Sequence, residues 1–305
     1  MNYRPEGSLI KTEENLYYIS SAQGLTEAME KNIILEARAV LCNSSHDLIV
    51  EFPCGKGIIK REDGALGIKD GTVRDIAIIS RVNKSVCFKV INVSEENGTV
   101  IAELSRCAAQ TECSENYIQK LTPGDIIDAR VTHIEQFGAF VDIGCGISSL
   151  IPIDVISVSR ISHPSDRFVI GQNIKAIVKA SDKGRIYLSH KELLGTWKEN
   201  AENFNIGETV TGIVRSVESY GIFVELAPNL AGLAEPKENI SVGQSVSVFI
   251  KAIISDKMKV KLVIVDVGDY EGDTMPMKYY LNGDHVRYWE YAPEMSKKKM
   301  TSYFE

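Results

Sequence analysis

The sequence lacks any long apolar run and any closely spaced pair of cysteines. No segment of its 305 residues approaches the roughly 20 apolar residues that span a bilayer. The first 18 residues include acidic side chains and no apolar segment of a signal peptide. Six cysteines are present without CxxC spacing, which disfavours a zinc site or a disulfide framework and suits a reducing compartment. These absences predict a cytoplasmic protein that has no membrane contact and no metal site.

A surplus of basic residues is also missing. The chain has 34 Lys and Arg against 41 Asp and Glu, which gives a formal net charge of −7. The charge is uneven, because residues 124–191 carry seven acidic and eight basic side chains and are the least acidic part. Bulk charge therefore cannot hold nucleic acid, and such a function would need a local groove of Lys and Arg together with base stacking.

An internal repeat organises the chain. The stretch beginning at Gly124-Asp125-Ile126-Ile127 is repeated from Gly207-Glu208-Thr209-Val210, 83 positions later. The same offset relates Phe137-Gly138-Ala139-Phe140-Val141 to Tyr220-Gly221-Ile222-Phe223-Val224. A fainter copy precedes both, since residues 36–40 resemble residues 128–131. Self-similarity of this kind indicates consecutive copies of one structural unit.

Each unit has the pattern of several short strands. In the central unit, apolar and polar residues alternate from Ile126 to Glu135, as in a half-buried strand. Further strands are predicted at 140–143, 150–151, 174–180 and 185–188, the last two joined by a turn at 182–184. Five short strands in about 70 residues are typical of a small closed barrel. The predicted fold class is all-β, with tandem five-stranded barrels joined by short helical linkers at 111–121 and 191–204.

The repeat divides the chain into four predicted segments. They are a divergent first barrel at 24–107, a central barrel at 122–191, a third, shortened barrel at 205–265 and a C-terminal tail at 266–305. A helix over residues 26–34 leads into the first barrel. The tail has no clear period, so we expect it to be solvated and flexible, with phosphate contact by its Lys297-Lys298-Lys299 run as the alternative.

The residues around Phe137 and Phe140 resemble a known RNA-binding family. The string GDIIDARVTHIEQFGAFVDIG, followed by GQNIKAIVKASDKGRIYLSHK, resembles the S1 RNA-binding domain. That domain is an OB-fold found in ribosomal protein S1, polynucleotide phosphorylase and several ribonucleases. The resemblance covers nearly all of residues 124–191, most of 207–264 and, weakly, about 33–106. Three such units without a catalytic domain resemble the short S1-like proteins of Gram-positive bacteria.

The resemblance implies a base-stacking face on the two better-preserved units. In the family, aromatic residues on the first and second strands face outward and stack on bases. The matching residues are Phe137 and Phe140 in the central unit and Tyr220 and Phe223 in the third. Each stacked base contributes ~1–3 kcal/mol, and stacking tolerates any sequence because every base has a π-face. The alternative is that one ring of each pair belongs to the barrel core.

The family also uses a His on its third strand and an Asp and an Arg around its last two strands. Asp182 and Arg185 match the Asp and the Arg. Arg185 could bind phosphate or stack on a base, with an exposed turn cation as the alternative, and Asp182 could instead only form a turn. The His position falls at Pro152 in the central unit and at Glu235 in the third, and neither His133 nor His163 matches it. Part of the family's binding face is therefore missing in both units.

Other basic side chains on the predicted strands could line the RNA groove, with an ordinary solubilising surface as the alternative. The candidates are Arg130, Lys175 and Lys179 on strands of the central unit, Arg160 and Arg167 in its long loop, and Arg215, Lys251, Lys257, Lys259 and Lys261 in the third unit. The first unit has no aromatic pair at the matching place, where residues 43–46 stand near the first turn instead. We expect that unit to bind RNA weakly or to dock on a protein.

The predicted function is non-catalytic binding of single-stranded RNA, in particular mRNA, in translation, without a cofactor and with the small ribosomal subunit as a candidate partner. A nuclease is disfavoured, because the acidic residues are scattered and no Ser-His-Asp, HExxH or P-loop arrangement is present. The remaining alternative is a protein-interaction scaffold built on OB-folds, which the acidic balance and the divergent first unit favour.

Overall fold

Three closed five-stranded barrels make up most of the molecule. The computed structural model describes residues 3–96, 98–182, 184–271, 277–297 and 299–304. The chain divides into two compact units: the first comprises residues 1–121, 128–130 and 142–148, and the second comprises 122–127, 131–141 and 149–305. The prediction of a mainly β chain with tandem barrels is confirmed.

The first barrel has the longest insertion between its strands. Its strands are β1 Leu35–Cys42, β2 Leu48–Phe52, β3 Gly55–Ile59, β4 Ser85–Glu96 and β5 Thr99–Ser105. Helices α1 (Glu13–Ile19) and α2 (Ala22–Glu30) precede it, and the short α3 (Ile76–Ile79) lies between β3 and β4. Leu25 of α2 and Ile78 of α3 are fully buried in the core that the strands enclose.

The first four strands of the central and third barrels are similar in length, whereas the fifth has five residues in the central barrel and 13 in the third. In the central barrel they are β6 Ile126–Glu135, β7 Gly138–Asp142, β8 Ser148–Pro152, β9 Asn173–Asp182 and β10 Arg185–Ser189. In the third barrel they are β11 Thr209–Glu218, β12 Gly221–Ala227, β13 Leu230–Ala234, β14 Gln244–Ile254 and β15 Lys259–Glu271. The five strands predicted for the central unit are confirmed, with ends that move by at most two residues.

All three barrels share one strand order. In each, the first strand pairs with the second, the second with the third, the third with the fifth, and the fifth with the fourth, which closes on the first. The pairing of the third and fifth strands is parallel, and the other pairings that join neighbouring strands in the first and third barrels are antiparallel. A closed five-stranded barrel of this order is the OB-fold. The faint first copy of the repeat is therefore a barrel of the same type.

The helices begin earlier than the sequence pattern predicts, because hydroxyl groups upstream cap them. Ser21 accepts the N–H of Gly24, so α2 begins at Ala22 instead of residue 26. Ser105 accepts the N–H of Ala108, so α4 (Arg106–Asn116) follows β5 directly, ahead of the predicted 111–121. The predicted linker at 191–204 is a 3-10 turn at Lys191–Leu194 and a short α5 (Trp197–Ala201). Among the described residues, no helix is both long and apolar enough to cross a membrane.

The C-terminal segment is packed and not a solvated tail. Within it, β16 (Tyr288–Glu290) pairs with β17 (Thr301–Tyr303). Trp289 and Tyr291 are buried in the core of the third barrel. The expectation of a flexible tail is therefore wrong for residues 277–297 and 299–304, because their aromatic side chains bury apolar surface. In the lysine run, Lys299 forms an ion pair with Glu290 at 2.7 Å, and Lys298 lies outside the described residues.

Candidate nucleic-acid interface

Two aromatic rings form an exposed corner on the central barrel. Phe137 lies in the turn between β6 and β7 and is 56% exposed. Phe140 on β7 is half-buried and alternates with the buried Ala139 and Val141, so its ring faces outward. The two ring centroids are 6.0 Å apart, and the planes are nearly perpendicular at 87°. The sequence-predicted pair is thus assembled on the outer wall.

A third ring joins this corner. His133 on β6 is exposed, and its ring centroid lies 6.2 Å from that of Phe140. Its Nε2 lies 2.7 Å from a carboxylate oxygen of Glu135. Comparison with the family pattern excluded His133, since that pattern has its His on the third strand. His133 lies on the first strand, and the contact of its ring with that of Phe140 brings it to the face. This contact joins two strands, so the sequence of one strand does not reveal it.

The third barrel repeats the same corner. Tyr220 is 65% exposed in the turn before β12, and Phe223 is half-buried on β12. Their centroids are 6.2 Å apart at an interplanar angle of 87°. Ser216 of β11 pairs with Phe223 and takes the place that His133 has in the central barrel. The two copies of the repeat therefore present the same ring geometry.

A glycine between the two rings allows the third strand to approach. A Cβ atom on Gly138 would lie 2.5 Å from the carbonyl oxygen of Ile151 and 3.0 Å from Cδ1 of Leu150. At Gly221 the corresponding distances are 2.7 Å to the carbonyl oxygen of Ala234 and 2.8 Å to Cδ1 of Leu233. Any larger residue would displace the strand, so glycine is required for the close approach.

The leucine beside each glycine extends the face toward the fifth strand. Leu150 pairs in parallel register with Tyr187 of β10, and Leu233 pairs with Lys261 of β15. Tyr187 is 48% exposed and was not anticipated as a site residue. A signal was present in the sequence, because Tyr187 lies between two inward apolar residues, Ile186 and Leu188, and an alternating strand must present it outward.

Two of the predicted cations occupy one structural position. Lys179 is the extra residue of a β-bulge on β9, beside the strand pairing that involves Tyr187. Lys251 is the extra residue of the matching bulge on β14, beside the pairing that involves Lys261. Both lysines are exposed. A bulge re-aims a side chain, and here it turns the two ammonium groups outward at equivalent places.

The hairpin of β9 and β10 carries the other predicted polar pair. Asp182 and Arg185 stand opposite each other at its end, and both are exposed. Lys183 in the same turn lies outside the described residues. In the third barrel, Lys259 pairs with Ile254 near the same end and is exposed. Arg185 lies two positions before the outward Tyr187, and Lys259 lies two positions before the outward Lys261.

Arg130 and Lys175 lie away from the bulges and the hairpin end. Arg130 is half-buried, and its guanidinium lies so near Gly7 that a Cβ atom there would be 2.8 Å from Nη1. Lys175 is exposed on β9, and its backbone N–H donates to the hydroxyl of Tyr279 at 3.1 Å. A role for these two side chains in RNA binding stays a prediction.

Two of the further candidates cannot reach a ligand. Arg167 is 1% exposed and forms an ion pair with Glu225. Arg215 pairs with the same carboxylate and, at 3.2 Å, with Asp166. The prediction that these arginines line an RNA groove is wrong, because both charges are neutralised inside the second unit.

The described residues hold no ready metal site. Within those ranges, no group of three or more His, Cys, Asp and Glu side chains is arranged to bind a metal ion. All six cysteines are free, and Cys87, Cys113 and Cys145 are buried. The face described above consists of rings, leucines and cations, and it offers stacking and phosphate contact.

Comparison with known proteins agrees with this geometry. Residues 120–191 match the family model described as the S1 RNA binding domain. The match covers β6 to β10, so the central barrel is an S1 domain.

Several curated proteins are similar over longer stretches. The "Small ribosomal subunit protein bS1" of Staphylococcus aureus (strain COL) is 30% identical over 200 residues, which cover 64% of this chain and 48% of that protein. The protein of the same name from Rhodopseudomonas palustris is 32% identical over 126 residues, covering 40% and 22%. The chain thus spans about half the length of the S. aureus relative. A solved multidomain protein with nucleic acid binding domains from Streptococcus pneumoniae is 14% identical, with coverage of 76% and 73% and a TM-score of 0.25.

Proposed function

We propose that this S1-domain chain binds single-stranded RNA, in particular mRNA, and does so without catalysing a reaction. The observation that carries the proposal is the repeated ring corner. Phe137 with Phe140, and Tyr220 with Phe223, keep nearly the same centroid distance and the same interplanar angle on separate barrels. Covering exposed rings on a barrel wall costs little free energy, and stacking of these rings on a nucleobase is favourable.

The mechanism combines stacking with phosphate contact. Each ring corner would take about two bases, and the exposed cations at Lys179, Arg185, Lys251 and Lys259 would follow the phosphates. The third barrel and most of the central barrel belong to the second unit, where a buried ion pair links Arg167 to Glu225. A strand held by one barrel would therefore meet the other at high effective concentration. Low sequence specificity is expected, because stacking accepts any base.

A role in translation is the second part of the proposal. It is supported by the similarity to proteins named as small ribosomal subunit proteins. The small ribosomal subunit is then the candidate partner, and the cytoplasm the place of action. Co-sedimentation of the chain with small subunits at physiological salt would support this part. A chain that stays in the supernatant while binding free RNA would limit the function to unbound transcripts.

The RNA-binding proposal is tested with the full chain and a fluorescein-labelled oligouridine. A length of about 30 nucleotides suits two OB-folds that each cover about 4–16 nucleotides. Fluorescence anisotropy should show binding at low salt. Phe137→Ala with Phe140→Ala should weaken binding roughly thirtyfold or more, since two stacking contacts of ~1–3 kcal/mol each are lost.

A matched control exists on the same barrel. Val169 and Ile170 are 59% and 61% exposed in the loop before β9. Their double replacement by Ala removes exposed apolar surface from a different segment of the barrel and keeps all rings, so it should leave affinity within about twofold. Equal losses in both double variants, or no binding by the unaltered chain, would refute the proposal. Loss of full-length oligouridine on incubation with Mg²⁺ would refute its non-catalytic part.

A second candidate is a protein-interaction scaffold, favoured by the first barrel. There Ile49 takes the place that Phe223 has in the third barrel, and its neighbours across the sheet, Leu41 and Ile58, are also aliphatic. Leu41 is 54% exposed. An aliphatic surface offers burial to a protein partner but no π-face to a base. If oligouridine still binds after the rings of the central and third barrels are replaced, the RNA site lies elsewhere on the chain.

A further inference from the structure

One outward position on the fifth strand differs in chemistry among the three barrels. It is Glu103 in the first barrel, Tyr187 in the central barrel and Lys261 in the third. Each pairs in parallel register with the outward residue of the third strand, which is Ile58, Leu150 or Leu233. The three residues are exposed, and we call this place the fifth-strand position. The same structural setting therefore holds an acid, a ring and a cation.

Two neighbouring positions follow the same trend. The extra residue of the fourth-strand bulge is Ile91 in the first barrel, Lys179 in the central barrel and Lys251 in the third. Two residues before the fifth-strand position stand Ile101, Arg185 and Lys259. The third barrel thus has lysines at all three places. The central barrel has two cations and a ring, and the first barrel has two isoleucines and an acid.

The acid of the first barrel is already paired. A carboxylate oxygen of Glu103 lies 3.1 Å from Nζ of Lys60, and the two side chains are 48% and 58% exposed. An exposed carboxylate at this place would repel a phosphate. The aliphatic residues around it give no stacking surface. Nothing at these three places in the first barrel attracts RNA.

We infer that the barrels divide the work of RNA binding: Tyr187 adds a further stacking ring to the central barrel, Lys261 completes a phosphate anchor on the third barrel, and the first barrel makes no RNA contact through this face. The inference rests on the proposed function. It assigns base contact mainly to the central barrel and backbone contact mainly to the third.

Salt dependence separates the two kinds of contact. Each phosphate neutralised on a single strand contributes about −0.7 to the slope of log Kobs against log salt concentration. A stacking contact releases no counterion, so its loss weakens binding by the same factor at every salt concentration. Three lysines at the third barrel therefore predict that this barrel supplies most of the salt dependence.

The three residues at the fifth-strand position allow one matched experiment. Each is replaced by Ala in the full chain, and affinity for the labelled oligouridine is measured by anisotropy over a range of salt concentrations. Tyr187→Ala should weaken binding about tenfold with an unchanged slope. Lys261→Ala should reduce the magnitude of the slope by about 0.7. Glu103→Ala should change neither affinity beyond about twofold nor the slope.

Conservative variants show that the effects come from the side-chain chemistry. Tyr187→Phe keeps the ring and Lys261→Arg keeps the charge, so both should retain the affinity and slope of the unaltered chain. If Tyr187→Ala changes the slope, or if Lys261→Ala leaves it unchanged, the division of work is refuted while RNA binding stands. If Glu103→Ala weakens binding tenfold, the statement about the first barrel is refuted. Absence of binding by the unaltered chain refutes the proposed function and this inference together.

Discussion

The guanidinium of Arg167 and the carboxylate of Glu225 form an ion pair in which both side chains are completely buried. Arg167 comes from the long loop between β8 and β9 of the central barrel, and Glu225 lies on β12 of the third barrel. Arg215 donates to the same carboxylate. Within the second unit, this cluster of buried charges joins the two barrels that carry the ring corners.

Removing the shared carboxylate should destabilise the second unit strongly. In Glu225→Ala, two arginines lose their common partner and Arg167 stays buried, so the free energy of unfolding should fall by about 3–5 kcal/mol. Urea unfolding followed by tryptophan fluorescence measures this. The chain's two tryptophans, Trp197 and Trp289, both lie in the core of the third barrel and report on this unit. As control, Glu218→Ala at the exposed end of β11 should change it by less than about 0.5 kcal/mol; equal effects would contradict the role of burial.

His190 should stay neutral well below the usual pH for histidine. Burial lowers the pKa of His190 to about 4. Its Nδ1 lies 2.9 Å from the carbonyl oxygen of Ile156, and its Nε2 lies 3.2 Å from the hydroxyl oxygen of Tyr279. Because a carbonyl only accepts, Nδ1 carries the hydrogen and Nε2 accepts from the tyrosine. The NMR signal of its Cε1–H should therefore stay constant from about pH 7 to about pH 5.

The buried imidazole of His190 should make the second unit less stable in acid. The unfolded chain binds a proton at His190 near the ordinary pKa of about 6.5, while the folded chain resists it down to about pH 4. Stability from this group is complete above about pH 6.5 and decreases as the pH falls toward 4. Urea unfolding at several pH values would measure the decrease, and His190→Gln should remove this component. A His190 signal that titrates near pH 6.5 would contradict both statements.

Glu36 should hold the N-terminal segment on the first unit. One of its carboxylate oxygens accepts the backbone N–H groups of Gly7, Leu9 and Ile10, each at 3.0 Å. Glu36→Ala leaves three donors without their acceptor, and each buried donor costs about 1–3 kcal/mol. Amide hydrogen exchange at residues 7–10 should accelerate at least about tenfold. Glu95→Ala, at an exposed site on β4, should leave this exchange unchanged; acceleration in both variants would contradict a specific role for Glu36.

The last residues should contribute to the stability of the second unit. Phe304 is 4% exposed and packs in a cluster with Ile177 of β9 and Leu193. Phe304→Ala should lower the free energy of unfolding by about 3–5 kcal/mol. The adjacent Tyr303 is 68% exposed, so Tyr303→Ala should cost less than about 1 kcal/mol. Thermal unfolding followed by tryptophan fluorescence distinguishes the two variants, and similar midpoints would contradict the packing of this segment.

The strands of the barrels could be predicted from local patterns, whereas the outward ring pairs were implied by the resemblance to the S1 domain. Alternation along Ile126–Glu135 defines a strand with one buried face. The recurrence of Phe137-Gly138-Ala139-Phe140 as Tyr220-Gly221-Ile222-Phe223 fixes the place of the turn and of both rings. Contributions of His133 and Tyr187 to the face depend on which strands are neighbours, which a single strand's sequence does not contain.

The sequence by itself determined the tandem repeat and the short strands of its units, because alternation and recurring strings are visible along the chain, and the resemblance to the S1 domain implied that the rings face outward. Tertiary structure alone decided which arginines meet solvent and whether the C-terminal segment is free. Arg167 and Arg160 are both charged loop residues in the sequence, yet one is buried against Glu225 and the other is exposed. The physical reason is that a buried charge is stable only when it is paired, and its partner comes from a distant part of the chain.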